Sequence, residues 1–311
     1  MAHTILRIGT RGSPMALAQT GLVRDRIAKS HPDLAVPGAL EIVVITTVAD
    51  KVLDRPLSEI GGKGLFTKEL EQALIDRRID MAVHSMKDVE TWLPDGLVIP
   101  CVFARDDPRD AFLSPRAAGL ADLAAGSRVG TSSLRRGAQI LMHRPDLRIV
   151  PMRGNANTRM RKLADGECDA TLLALCGLRR LGMENMAQEV LSADEMLPAV
   201  AQGALGIECR ADDTGLIARL APLACPTTTA CIAAERAFLA ALDGSCRTPV
   251  AALATVDGGT LSIRAMLFTP DGKRHWQTQR EGAINDAVAI GDEAGCVVRA
   301  DAGETYRMHL R

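Results

Sequence analysis

Between Thr4 and Arg210, strand-like runs alternate with amphipathic helical patterns, a rhythm that few folds accommodate. It implies βα units feeding a largely parallel sheet. "TILRIG" reads as a strand, after which Ser13 caps a helix with Pro14 at its first position. Met15, Ala18 and Leu22 would form that helix's buried stripe. "EIVVITT" is a second strand, and the polar, glycine-bearing stretch 49–63 reads as a mobile loop. Phe66, Leu70, Ala73 and Leu74 recur at helical spacing, and "DMAVHS" runs as a strand into "SMKD".

From about residue 102 the pattern begins afresh. "SRVGT" leads into "SSLRR" and a helix striped by Leu134, Ala138 and Leu141. "LRIVPM" leads into "RGNANTR", and "CDATLLAL" into "CGLRRLG". "LPAVAQGALGIECR" reads as a connector and a strand that could return to the first sheet. After residue 222 the grammar changes. A helix from Thr228 to Leu242 is followed by three strand-like runs with hairpin signals between them, then a last helix from Ala283 to Val298. Two α/β lobes and a small C-terminal α+β domain are expected.

Composition narrows the function classes. Of 311 residues 47% are apolar and 24% charged, a globular profile, and the formal net charge of −1 offers no field for nucleic acid. Aromatics at 3% leave few stacking platforms for single strands. The opening "MAHTILRIGTRGSP" has neither a basic n-region nor a long apolar h-region, so no signal peptide is expected. No apolar run is long enough to span a bilayer. The eight cysteines show no CxxC and no zinc-type spacing, which points to reduced thiols in a cytoplasmic protein without a metal site. Most would be core residues. Cys246, in the tight polar turn "LDGSCRTP", is the one placed unlike a core cysteine.

Four βα turns carry arginine beside hydroxyl, amide or glycine residues: Arg11, the Arg135–Arg136 pair, Arg153 with Arg159, and Arg180. Ligands of open α/β sheets bind beyond the carboxyl ends of the strands, where such turns lie. A cation in a helix's first turn opposes the macrodipole, at about 0.3–1 kcal/mol, and a bound anion reverses that sign. One loop arginine is ordinarily solvated surface. Six at corresponding strand ends favour a polyanion rich in carboxylates or phosphates, and the absence of Walker and GxGxxG patterns argues against a nucleotide. Asp88 follows Lys87 at a strand end. It is either a turn aspartate paired with arginine or a carboxylate that stabilises a cation or moves protons. His84 reads as a satisfied buried histidine, and Asp106, Asp107 and Asp110 as a solvated charge run or a hinge network.

In one order, "LRIGTRGSPMALAQ", "IGGKGLFTKELE", "AVHSMKD", "DPRDAF", "VGTSSLRR", "RGNANTR", "GLRRLG", "LPAVAQGALGIECR" and "AERAFLAALDGSCRTP" resemble the porphobilinogen deaminase (hydroxymethylbilane synthase) family nearly end to end. The resemblance implies an α/β protein of three domains: two lobes like periplasmic binding proteins and a small C-terminal α+β domain. The boundaries would be 1–101 with 203–221, then 102–202, then 222–311 carrying the cofactor cysteine. It implies head-to-tail condensation of four porphobilinogen molecules, with loss of ammonia, on a dipyrromethane joined by thioether to Cys246. Hydrolysis then releases a linear tetrapyrrole. Asp88 would be the catalytic aspartate, stabilising the azafulvenium cation through pyrrole N–H groups. Arg11, Ser85, Lys87, Thr131, Ser133, Arg135, Arg136, Arg153, Arg159, Arg180 and Gln202 would line the cofactor and substrate sites, with Lys63 and Phe66 at the loop end of the cleft. The partners implied are porphobilinogen and the growing oligopyrrole chain, with no nucleic acid and no membrane, and the protein would be a cytoplasmic monomer.

Departures from the family pattern are few. Glu59 stands where several relatives have lysine, Ala49 and Ala201 where many have glycine, and Glu90 where proline is frequent. The rival reading is a two-lobed cytoplasmic anion-binding protein without catalysis, which leaves the third domain and Cys246 unexplained.

Overall fold

A computed structural model describes residues 5–47, 64, 66–244 and 248–309. Cys246, Lys63, Glu59, Ala49 and the expected loop 49–63 lie outside the described residues. In chain order the elements begin with β1 (Leu6–Arg11), α1 (Pro14–Ser30), β2 (Leu40–Ile45), α2 (Lys68–Ile75), β3 (Met81–Ser85) and β4 (Leu97–Val102). β5 (Asp110–Leu113), β6 (Arg128–Gly130), α3 (Leu134–His143), β7 (Arg148–Val150), α4 (Ala156–Ala164), β8 (Ala170–Ala174), α5 (Leu175–Arg180) and β9 (Glu189–Val190) follow. Then come β10 (Leu205–Arg210), α6 (Thr214–Leu220), α7 (Pro226–Ala241), β11 (Val250–Asp257), β12 (Thr260–Phe268), β13 (His275–Ala283) and α8 (Ala287–His309). The chain divides into two compact units, Met1–Arg105 with Ala204–Thr229, and Asp106–Gly203 with Ala230–Arg311.

The first unit is built on a five-stranded sheet in the order β2-β1-β3-β10-β4. β1 pairs in parallel with β2 and β3, while β10 runs antiparallel to both β3 and β4. The returning strand inferred from the sequence is therefore present. One face buries Ile8, Met81, Val83 and Ile207 with Val23 and Ile27 of α1; Ala82 on the other packs with Leu70, Ala73 and Leu74 of α2. The sheet is half antiparallel rather than largely parallel, because β10 arrives by a long connection instead of a right-handed βα crossover.

The second unit repeats the scheme with the order β7-β6-β8-β5-β9, β6 parallel to β7 and β8, and β5 antiparallel to β8 and β9. Its C-terminal part is the antiparallel sheet β11-β12-β13. α8 packs on β12 and β13. Ala138 and Leu197 share a core cluster with Ala251 and Phe268, so this sheet adjoins the lobe. Glu235 of α7, wholly buried, reinforces the join: its carboxylate accepts from the Ala201 N–H at 2.6 Å and the Ala254 N–H at 2.8 Å. Ala201 has φ 60°, left-handed backbone, which explains why glycine suits this position.

Two helices bury different faces from those expected. In α1 the buried residues are Gln19, Thr20, Val23 and Ile27, and Leu22 is exposed. In α3 Arg135, Arg136, Gly137, Ala138, Gln139 and Ile140 go inward while Leu134 is exposed. Buried polar groups that find partners compete with apolar ones for the inner face, and hydrophobic spacing does not register them.

Helix α8 meets α7 across small residues. A Cβ on Gly291 would run into the Ala234 carbonyl, and one on Gly295 would lie 2.8 Å from the Phe238 carbonyl oxygen. Backbone cannot give way as a side chain can. Gly291→Ala is expected to cost about 1–3 kcal/mol by overpacking, whereas Gly21→Ala, with open space around it in α1, should gain up to ~1 kcal/mol from helix propensity. Urea unfolding of both variants beside the parent checks the pair, and an unchanged midpoint for Gly291→Ala would refute the close approach.

Candidate functional site

In the first unit the polar residues gather after β1 and β3. Arg11 closes β1, and its guanidinium lies 4.5 Å from the centre of the Phe66 ring, a cation–π contact that brings two of the expected residues together. Ser85 closes β3, and its hydroxyl accepts from the buried Gln19 amide at 2.9 Å. A short 3-10 turn, Met86–Asp88, then presents Lys87 and Asp88. The turn is pinned by the Met86 N–H donating to the Ala204 carbonyl at 3.0 Å. Asp88 is half-buried, and no hydrogen bond or ion pair reaches its carboxylate among the described residues. No arginine of the described residues pairs with it. Glu90, where the family often has proline, accepts from the Gly64 N–H at 2.9 Å.

The second unit is organised by a carboxylate. Asp110, at the start of β5, is completely buried. Arg135 donates to Oδ2 at 2.7 Å and Arg136 to Oδ1 at 2.7 Å, and the Gln202 amide adds a bond to Oδ1 at 2.8 Å. Both arginines are at most 6% exposed, and their remaining terminal nitrogens donate to the Leu197 and Leu172 carbonyls. The Nε of each is buried without a partner. Burial alone would push the Asp110 carboxyl up, but the Arg135 and Arg136 guanidiniums outweigh it and hold it well below the usual carboxylate range. Asp110 is thus no part of a solvated run.

Around this centre the other expected residues fall on the turns of the same lobe. Ser133 caps α3 by accepting from the Arg136 N–H, and the buried Thr131 hydroxyl accepts from the Ser133 N–H at 3.1 Å. Arg180 binds Asp106 at 2.5 Å and the Gly203 carbonyl at 2.8 Å. Arg159 on α4 donates to the Gly154 carbonyl at 2.9 Å. Burial, with the Arg136 and Arg153 cations nearby, pushes Arg159 down to about 10. One nitrogen of Arg153, Nη1, is buried without a partner. Like charges pressed together in low dielectric form a site that calls for an anion.

Sequence reasoning gave no site role to Asp110, Asp106 or Gln19. A partial signal existed in the sequence, an aspartate opening the apolar run of "DAFL"; the strand proves buried throughout, and an aspartate there must be paired. Nothing in helical periodicity marks Gln19.

Residues 6–218 match the family model described as porphobilinogen deaminase, dipyromethane cofactor binding domain, and residues 229–298 match porphobilinogen deaminase, C-terminal domain. The chain is 52% identical over 306 residues to "Porphobilinogen deaminase, chloroplastic" of Oryza sativa subsp. japonica, covering 97% of this chain and 86% of that protein. To "Porphobilinogen deaminase" of Nitrobacter hamburgensis it is 52% identical over 299 residues, 96% of this chain and 94% of the relative. Among solved structures, a putative methionine-binding lipoprotein from Bacillus subtilis aligns over 72% of this chain and 91% of its own at 13% identity, with a TM-score of 0.43.

Removing the central charge should be costly. Asp110→Asn leaves two buried guanidiniums without a counter-charge, and is expected to lose about 3–5 kcal/mol. The pH dependence has a fixed sign, since the folded Asp110 carboxyl is depressed. Its stabilisation is complete above the unfolded value of about 3.9 and fades as pH falls through the lower folded value. Urea midpoints of parent and variant should converge in acid below about pH 4; a gap that stays constant would refute the assignment.

Proposed function

The chain belongs to the porphobilinogen deaminase family, and we propose that its arginine-bearing turns and Asp88 perform that family's reaction in a particular division of roles. The reaction is transfer chemistry: stepwise condensation of four porphobilinogen molecules with loss of ammonia, then hydrolytic release of a linear tetrapyrrole, hydroxymethylbilane. Family membership sets aside the rival of a binding protein without catalysis.

The residues fit a dipyrromethane. Its acetate and propionate groups are carboxylates, and the lobe offers the unpartnered Nη1 of Arg153 and the crowded, depressed Arg159 beside Arg136. That cation cluster is the observation that carries the reading. When bound, the dipyrromethane supplies the terminal pyrrole carbon that attacks the incoming substrate. Arg153 and Arg159 hold side-chain carboxylates by charge-assisted hydrogen bonds. Arg135 and Arg136, tied to Asp110, fix the α3 N-terminus, so that Thr131, Ser133 and Gln202 are presented in set positions. Arg11, Ser85 and Lys87, with Lys63, receive substrate carboxylates on the first lobe, Phe66 backs the Arg11 guanidinium, and Arg180 completes the set on the second. Asp88 accepts the pyrrole N–H and stabilises positive charge as the amine leaves, since its carboxylate is committed to no cation among the described residues. No enzyme nucleophile is needed.

Cys246 is the proposed thioether anchor, in the turn that follows α7 in sequence. The proposed domain limits are 1–101 with 203–221, 102–202 and 222–311. A cytoplasmic monomer acting apart from membrane and nucleic acid completes the reading. The net charge of −1 supports the last point, as does the finding that no single helix among the described residues is long and apolar enough to cross a membrane.

Intact mass tests the anchor: active protein should exceed its sequence mass by two pyrrole units, and Cys246→Ser should carry no stable adduct. An adduct on Cys231 or Cys209 instead would overturn the assignment. Single-turnover ammonia release tests the catalyst. Asp88→Ala should lose on the order of a hundred- to a thousandfold or more, with Asp88→Glu keeping a trace of activity. Normal release by Asp88→Ala would return Asp88 to a structural role.

A further inference from the structure

We propose that the buried pair His84–Glu208 is a positioning device for the catalytic turn, fixing the end of β3 from which Asp88 is presented. The inference rests on the proposed role of Asp88. The location of that carboxylate depends on the backbone turn that carries it. That backbone leans on β10: Ser85 lies opposite Leu205, and the Met86 N–H donates to the Ala204 carbonyl. Met86 also packs so closely over Gly206 that a Cβ there would collide with its sulfur. The position of the turn is therefore the register of β10.

His84 Nε2 lies 2.8 Å from Glu208 Oε2, diagonally across the β3–β10 ladder, with His84 opposite Gly206 and Ala82 opposite Glu208. Both side chains are buried, Glu208 completely, on the face where Ala82 packs with Leu70 and Leu74. As a stabilising contact the pair is poor. A buried carboxylate costs desolvation, and Glu208 Oε1 has no hydrogen-bond partner among the described residues. As a register lock it is well placed. The β10–β4 pairing shifts register between Ile207 and Cys209, so Glu208 sits at the irregularity. The extra residue lies on β4, two residues of β10 against three of β4, so the regular ladder beside Glu208 is the one with β3, and that edge carries the register. A slip by one residue would put Glu208 on the opposite face, against Ile8 and Val23. The polar pair forbids that slip, which a hydrophobic pair would tolerate.

The double variant His84→Phe/Glu208→Met, in the full chain with its cofactor, separates position from stability. Thermal midpoint should equal or exceed the parent's, because apolar replacements of buried ion pairs are neutral or stabilising. The kcat for ammonia release should fall ~10- to 100-fold with KM for porphobilinogen unchanged, the signature of a displaced reacting group. Parent-like kcat in the folded double variant would overturn the proposal. Should it fail to fold, Glu208→Gln against Glu208→Leu decides: the amide keeps an acceptor for the imidazole N–H and retains kcat, the leucine does not, and equal kcat in the two overturns the lock. Asp88→Ala measured alongside distinguishes the two layers. If it is inactive while the pair variants are normal, only the lock fails; if it is active, the reading beneath the lock fails and takes the lock with it.

Discussion

One buried carboxylate shared by two guanidiniums governs the second lobe. Asp110 neutralises only one of the two charges on Arg135 and Arg136, so the α3 N-terminus keeps an excess of positive charge in a place without water. Cations in a first helical turn oppose the macrodipole, and Asp110 offsets that cost while holding both arginines in fixed rotamers. What remains is a rigid, cation-rich turn with Arg153 and Arg159 beside it, the latter pushed down to about 10 by burial and its neighbours. Such a site is unfavourable until an anion arrives. In the proposed reading, such a site lets a protein of net charge −1 take up carboxylates.

Glu235 extends the same economy to the backbone. Its two oxygens take the Ala201 and Ala254 N–H groups, fastening the connector before Gln202 to the C-terminal sheet. Gln202 then reaches Asp110, and the next residue, Gly203, supplies the carbonyl that Arg180 binds. From α7 to α3, a chain of side-chain bonds thus ties the connector, the C-terminal sheet and the lobe together. The left-handed Ala201 is the strained link, and its N–H donates to the buried Glu235 carboxylate.

Much of this was legible in the sequence and some was not, for a physical reason. The three C-terminal strands could be read because "DGG" and "TPDGK" mark turns between them, and the antiparallel ladders β11-β12-β13 follow. The returning strand β10 could be read as a strand after a connector, although it carries Glu208 and Arg210, and every residue of it is buried. The faces of α1 and α3 were misread, because Gln19, Arg135, Arg136 and Gln139 go inward on the strength of partners far away in the chain. Pairing is non-local, and a hydrophobic period sees only its own helix. The arginine turns were read from their places at strand ends, yet that pattern could not tell Arg135, which is buried on Asp110, from Arg153, whose Nη1 is buried without a partner among the described residues. The reading of Cys246 rests on its polar sequence surroundings and the family motif alone, since it lies outside the described residues.

The two lobes use aspartate in opposite ways, and that contrast bears on mechanism. Asp110 accepts from two guanidiniums and an amide, which leaves its negative charge spent. A carboxylate so saturated cannot respond to a cation that appears for the lifetime of a transition state. Asp88 is half-buried and bound by nothing among the described residues, so its charge is still available. Its environment supplies order without neutralisation: a ladder bond, a packed methionine, the Gln19–Ser85 bond and the His84–Glu208 pair fix the backbone while leaving the oxygens open. Electrostatic catalysis needs a group oriented before charge develops, at no cost of reorganisation when it does. An aspartate held by its neighbours' backbone and side chains, rather than by a counter-ion, meets that requirement; one clamped by arginine does not.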